Sequence, residues 1–157
     1  MNVYIMYDTQ FGNGKILAEA FKKELSGEYE VKTGDVKDID PQKVANDNPD
    51  VLILGGAIRM FRGATKSKKW LKKLDKELSS KGYNIKYATE FLTHGLPTDK
   101  VQGFKKRYHK KLEKASSIKN IYPEILTARV KEQEGPILDS EMEKAQNYIQ
   151  EFIKWIK

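Results

Sequence analysis

The residues able to do chemistry in this chain are concentrated in three short stretches, each directly after an apolar run. They are Thr9-Gln10-Phe11-Gly12-Asn13-Gly14, Gly55-Gly56-Ala57-Ile58-Arg59-Met60-Phe61-Arg62-Gly63 and Thr93-His94-Gly95-Leu96-Pro97. The first is the most informative. A loop that leaves a buried strand and opens a helix gathers free backbone N–H groups and the positive helix end at one spot. That is an anion site, and a phosphate fits it. Gly12 and Gly14 let the backbone curl, and Thr9 and Asn13 can add side-chain hydrogen bonds. The loop has neither the G-x-x-x-x-G-K-[ST] nor the G-x-G-x-x-G pattern.

Other chemistries are excluded by residue type. The 157 residues include no cysteine, so thiol catalysis, iron–sulfur ligation by the chain and Cys-based zinc sites are out. His94 and His109 are the only histidines, too few for a His-based metal site. No metal ligands and no catalytic acid–base residues are assigned.

Hydrophobic periodicity supplies the elements that must position these stretches. Val3–Tyr7 and Val51–Leu54 are unbroken apolar runs, as in strands buried on both faces. Leu17, Phe21 and Leu25 recur at helical spacing, predicting a helix over about 14–26. The same reasoning predicts strands at Tyr29–Thr33, Ile85–Leu92 and Tyr122–Val130. It predicts helices over about 64–80, 98–116 and 139–156, and leaves the stretch between the second and third strands as a loop. Glu90 is out of place inside a buried strand, whereas Tyr7 and Tyr87 read as packing residues. The β-α alternation implies one domain, residues 1–157, with a parallel sheet covered by helices on both faces. Ligands of such sheets bind beyond the carboxyl ends of the strands, where all three stretches fall.

On these residues the chain resembles the flavodoxin family. That family's first loop follows T/S-x-T/S-G-x-T and cradles the phosphate of FMN. Thr9-Gln10-Phe11-Gly12-Asn13-Gly14 matches it in position, with Phe11 in place of a small hydroxyl residue and Gly14 in place of the final threonine. Gly55–Gly63 stands where the family has G-[ST]-P-[TI]-x-x-[WYF]-x-G beside the flavin ring, and Phe61 falls near the stacking aromatic. Thr93-His94-Gly95 stands where the other ring-contacting loop lies, without the usual G-x-G-D. Gly135-Pro136, Glu141 and Ala145 also resemble relatives. The resemblance implies a three-layer, doubly wound α/β sandwich with five parallel strands in the order 2-1-3-4-5. It implies FMN held by Thr9, Gln10, Phe11, Gly12, Asn13, Gly14, Ala57, Ile58, Arg59, Met60, Phe61, Thr93, His94 and Gly95. Electron transport through the flavin is then the expected function. Arg59 and Arg62, in a family that usually surrounds its flavin with acids, are expected to stabilise the reduced, anionic flavin. The plainer readings are a capped turn at Thr9–Gly14, a hydrophobic cover at Phe61 and a surface histidine at His94; the sharper one makes His94 a donor or proton source. The alternatives on the same fold are an FMN-dependent oxidoreductase, of the protoporphyrinogen oxidase or quinone reductase type, and a flavin-less binding module.

Charge adds an expectation about partners. Twenty-nine Lys and Arg against twenty-two Asp and Glu give a net charge of +7. The excess is concentrated at Lys66–Lys81 and Thr98–Lys119, which read as solvated lysine faces or as surfaces steering an acidic redox partner or meeting an anionic membrane surface. No nucleic-acid module pattern is present. The apolar N-terminus reads as a first strand rather than a signal peptide, which makes the cytoplasm the expected compartment.

Overall fold

A computed structural model describes residues 1–59 and 62–157. Its sheet is built on β1 (Asn2–Tyr7), β2 (Glu30–Asp35), β3 (Val51–Arg59), β5 (Ile85–His94) and β6 (Ile118–Ile121), in the spatial order β2-β1-β3-β5-β6. All four of these pairings are parallel. β4 (Arg62–Gly63) doubles back antiparallel on β3, and β7 (Leu126–Arg129) runs parallel to the upper half of β5. The helices are α1 (Asn13–Leu25), α2 (Pro41–Asn46), α3 (Thr65–Ser80), α4 (Gln102–Glu113) and α5 (Asp139–Ile156).

Alternation along the strands divides the core in two. From β1, Val3, Ile5 and Tyr7 face α1 and α5, whereas Tyr4 and Met6 face α2, α3 and α4; Ile53 and Leu54 of β3 divide in the same way. The first layer holds Leu17, Phe21, Phe91, Ile149 and Phe152, with the Phe21 and Phe91 rings edge-on at 5.3 Å. The second holds Trp70, Leu74, Leu92, Tyr108 and Leu112. Each such side chain contributes roughly 1.5–3 kcal/mol by leaving water.

The expected order of five parallel strands is present, with differences of detail that have local causes. The fifth strand is not continuous over Tyr122–Val130. Within those bounds only β7 is a strand; the place beside β5 is taken first by β6, Ile118–Ile121, which ends before the expected start, and Pro123, unable to donate to a ladder, separates the two. The connecting segment is held instead by Tyr122 N–H on the Ala88 carbonyl (2.9 Å) and Tyr148 Oη on the Glu124 carbonyl (3.1 Å). The stretch after β2 contains α2, capped by the Asp40 carboxylate accepting from Gln42 N (2.9 Å), with Pro41 in its first turn. The expected helix over 98–116 is a 3₁₀ turn, Thr98–Lys100, followed by α4.

Two strands outrun their expected ends. β3 continues through Gly55 and Gly56 to Arg59, since both glycines are needed inside the strand. A Cβ on Gly55 would overlap the Phe91 ring, and one on Gly56 would overlap Ala64 Cβ. β5 reaches His94 because β7 pairs with Phe91–His94.

Candidate functional site

The carboxyl ends of β1, β3 and β5 open into one cleft of about 350 Å³, within the range of small-molecule sites. Thr9, Gln10, Phe11 and Asn13 line it from the first loop, Ala57, Ile58 and Arg59 from β3, and Thr93, His94 and Gly95 from the end of β5. The three stretches singled out in the sequence therefore meet. Gly12 and Gly14 shape the first loop from behind. Met60 and Phe61 lie outside the described residues.

The first loop is built to turn backbone amides toward the cleft. Asp8 N–H extends the β1–β3 pairing onto the Gly55 carbonyl (3.1 Å), and the chain then leaves the sheet. Gly12 has φ of 92°, a conformation that costs other residues strain, and it caps α1. Thr9 Oγ1 accepts from the amides of Gly12 (2.9 Å) and Gly14 (3.3 Å), which closes the loop on itself. Lys37, from the end of β2, donates through Nζ to the Thr9 carbonyl (2.6 Å) and lies 3.5 Å from Asp35. One cation thus stands at the back of the loop. Phe11 is 42% exposed at the cleft lip, an unusual place for an aromatic ring.

The β3 wall carries an ion pair. Arg59 Nη1 lies 3.3 Å from Asp8 Oδ2 and Nη2 lies 3.4 Å from Oδ1. Asp8 is buried and Arg59 three-quarters covered. The guanidinium is a fork spanning the two strand ends, with its charge already balanced. The arginine expected to stabilise a reduced flavin is thus already paired with a carboxylate. Arg62 is exposed on β4.

On the β5 side Thr93 and His94 are both buried, so His94 is not a surface residue. Its Nδ1 lies 2.9 Å from the Leu96 carbonyl. A carbonyl only accepts, so Nδ1 carries the hydrogen and Nε2, which is buried and has no partner among the described residues, is left as an acceptor. Burial pushes the His94 pKa down, which favours the neutral ring. His94 is therefore neither a ready proton source nor a donor through Nε2.

A fourth wall was not read from the sequence. Val130, Lys131, Glu132 and Gln133 line the cleft together with Leu96. The segment is fixed by Val130 N–H on the His94 carbonyl (2.8 Å) and Lys131 N–H on the Pro136 carbonyl (2.9 Å). It also leans on α1: Asn13 Nδ2 reaches the Gln133 carbonyl at 3.5 Å, and a Cβ on Gly135, where φ is 107°, would come within 2.7 Å of Asn13 Oδ1. The Gly135-Pro136 pair is the turn signal that could have marked this segment. Glu141, in the first turn of α5, accepts from the Arg129 amide (3.3 Å) and pairs with Lys144 (2.8 Å), which anchors the end of β7.

Among the described residues no group of acids and histidines is arranged to hold a metal, and no helix is long and apolar enough to cross a membrane. No curated protein matches the sequence. The chain is similar in structure to oxidised Flavodoxin 2 from Bacillus cereus, with a TM-score of 0.74 at 17% identity over 98% of this chain and 99% of the other. Oxidised Flavodoxin 1 from the same organism gives 0.71 at 17% over 98% of both chains. A flavodoxin from the domain Archaea gives 0.68 at 12% over 98% and 99%. At these identities the likeness is one of fold. A family profile described as a flavodoxin domain matches residues 4–150. That match spans nearly the whole chain, from the first strand to the last helix, and so the chain belongs to the flavodoxin domain family.

Proposed function

We propose that this chain binds FMN in the cleft at the strand ends and carries electrons between partners in the cytoplasm. The observation that supports it most is the convergence of the amide-rich start of α1 with two strand-end walls in one cleft of suitable size.

The residues present fit the group. The loop from Thr9 to Gly14 offers the amides of Gln10, Phe11 and Asn13, none of which has an internal acceptor among the described residues. With the α1 dipole behind them, these suit a phosphate. Lys37, behind the same loop, adds a favourable field. Ala57, Ile58, Thr93 and Gly95 present small or apolar surface for a flat ring, and Phe11 is placed to cover an edge of it. When bound, FMN supplies the one- and two-electron chemistry.

The side chains around the cleft hold rather than react. Arg59 is committed to Asp8, and buried His94 is held through Nδ1 by the Leu96 carbonyl. Those two commitments favour a carrier over an FMN-dependent oxidoreductase that moves protons through its own side chains. The cleft then orients the ring, shields one side from water and leaves an edge accessible for electron exchange.

The test is a titration of the purified apoprotein with FMN and with riboflavin, followed by flavin fluorescence. Saturable quenching by FMN, at least about tenfold tighter than by riboflavin, is expected from a phosphate that adds charge-assisted hydrogen bonds. Equal affinity for the two removes the phosphate loop from the reading, and no binding of either overturns it. Direct turnover of a quinone with NAD(P)H, without an added reductase, would favour the oxidoreductase alternative.

A further inference from the structure

α3 and α4 pack side by side over the same face of the sheet. α3 carries six lysines, and α4 carries four lysines and an arginine. Against these eleven cations the two helices hold three carboxylates, Asp75, Glu77 and Glu113. Asp75 is turned inward, accepting from the Ser117 amide (2.9 Å) and hydroxyl (2.5 Å). Glu113 lies 3.4 Å from His109.

Elsewhere, among the described residues, seven of the eighteen remaining cations, Lys32, Lys37, Arg59, Lys86, Lys144, Lys154 and Lys157, lie within 4 Å of a carboxylate. Among the described residues none of the α3 and α4 lysines, nor Arg107, does so. Between the helices lies a groove of about 510 Å³ lined by Lys68, Lys69, Lys72, Lys111 and Lys114, with Asp75 the one carboxylate among its lining residues. Mutual repulsion on this scale raises the free energy of the unbound face and is relieved by an anionic partner.

We propose that this face docks the acidic surface of a partner protein, which on the reading above is the redox partner. Size argues for a macromolecule: the sixteen residues of α3 span about 24 Å of rigid helix. Composition argues for a protein. Among the described residues the exposed large apolar side chains, Met1, Phe11, Ile16 and Trp155, lie off both helices, and Phe104 of α4 is half-buried beneath Arg107, so α3 and α4 lack the apolar anchors of a membrane-inserting helix and the exposed rings that stack on bases. Placement supports the redox role, since α3 starts at Thr65, just beyond the β3–β4 pairing whose Arg59 lines the cleft. A partner seated on α3 and α4 sits next to the cleft mouth.

The probe is a fluorescein-labelled peptide of about twenty glutamates, followed by anisotropy at low and physiological salt, where screening changes most. Vesicles of phosphatidylcholine with one quarter phosphatidylserine are the comparator. Lys69→Glu/Lys72→Glu on α3 and Lys106→Glu/Lys110→Glu on α4 are each expected to weaken peptide binding about tenfold or more. Lys22→Glu/Lys23→Glu on α1 changes the net charge equally and is expected to weaken it less than about twofold. If the α1 pair costs as much as the others, or no pair matters, the face has no special role and the proposal falls. It also falls if the vesicles bind more tightly than the peptide through the same lysines, which would make the face a membrane surface. FMN titration of the same samples separates the two readings. Loss of peptide binding with FMN affinity intact removes the docking face alone; peptide binding to a chain that takes no FMN removes the flavin reading alone.

Discussion

Arg59, at the end of β3, grips the buried carboxylate of Asp8, at the end of β1, through two contacts of 3.3 and 3.4 Å. The pair ties together the two strand ends that form the cleft floor and contributes no net charge to it. Removing either partner unmasks the other. Arg59→Ala leaves a buried carboxylate without its cation and is expected to cost about 2 kcal/mol or more in urea unfolding. In the flavin-loaded protein it should lower the two-electron midpoint, whereas Asp8→Asn should raise it, each by some tens of millivolts, since 30 mV is about 1.4 kcal/mol for two electrons. Shifts of the same sign would contradict a compensated pair.

Glu90 sits in the middle of β5 with both carboxylate oxygens buried and unpartnered. It faces α3 and α4, where His109 Nδ1 is 3.7 Å away, too far for a hydrogen bond, and Lys68, Tyr108 and Glu113 are the other polar groups around it. Burial pushes its pKa from 4.5 up to about 7, and the Glu90 carboxylate raises that of His109. The native state therefore holds protons that the unfolded chain releases. Stability falls as pH rises from about 4.5 to about 7, by roughly 3 kcal/mol for the carboxyl alone, and the raised His109 pKa acts with the same sign, extending the fall above pH 6.5. Glu90→Gln is expected to raise Tm at pH near 8 and to change it little at pH near 5. A variant less stable than wild type at both would show that the carboxylate is held by something other than His109.

Gly14 stands where the family's loop ends in threonine, and a Cβ fits there without overlap. A Cβ there would meet Asp8 O and Thr9 Cβ at 3.4 Å and Tyr7 Cβ at 3.5 Å, ordinary contact distances. Gly14→Thr is expected to fold, to gain a few tenths of a kcal/mol in helix propensity and to tighten FMN several-fold through a new hydroxyl near the phosphate. Thr9→Ala should do the reverse, costing about 1 kcal/mol by freeing the Gly12 and Gly14 amides and weakening FMN. Calorimetry with FMN and riboflavin reads both.

Gly55→Ala tests the close packing under the cleft. Its methyl group would overlap the Phe91 ring, which is itself held edge-on by Phe21. With no free direction to move, the ring makes the substitution cost about 3 kcal/mol, seen as a large fall in the unfolding midpoint. A near-neutral result would mean that the two strands separate more easily than their packing implies.

The sequence by itself determined the layers of the sheet, and its resemblance to the flavodoxin family supplied the strand order. Apolar runs of strand length alternating with helical periods have few other ways to bury both faces of a parallel sheet, and the turn residues at Thr9–Gly14 marked the first βα connection. The stretches at Gly55–Gly63 and Thr93–Pro97 were legible as strand ends because strand ends are where such sheets bind ligands. Only the tertiary structure decided what those residues do there. Gly55 and Gly56 read as a loop until the Phe91 ring and Ala64, distant in sequence, showed why a strand needs them. Arg59 read as a cation for the reduced flavin, and its pairing with Asp8, 51 positions away, exists only in the fold. His94 read as exposed because β7, which buries it, is a short strand broken off by Pro123. The Val130–Gln133 wall carries no periodicity of its own and becomes part of the cleft only by closing against Asn13. Local pattern is written in neighbouring residues; charge compensation and burial depend on residues that meet only when the chain folds.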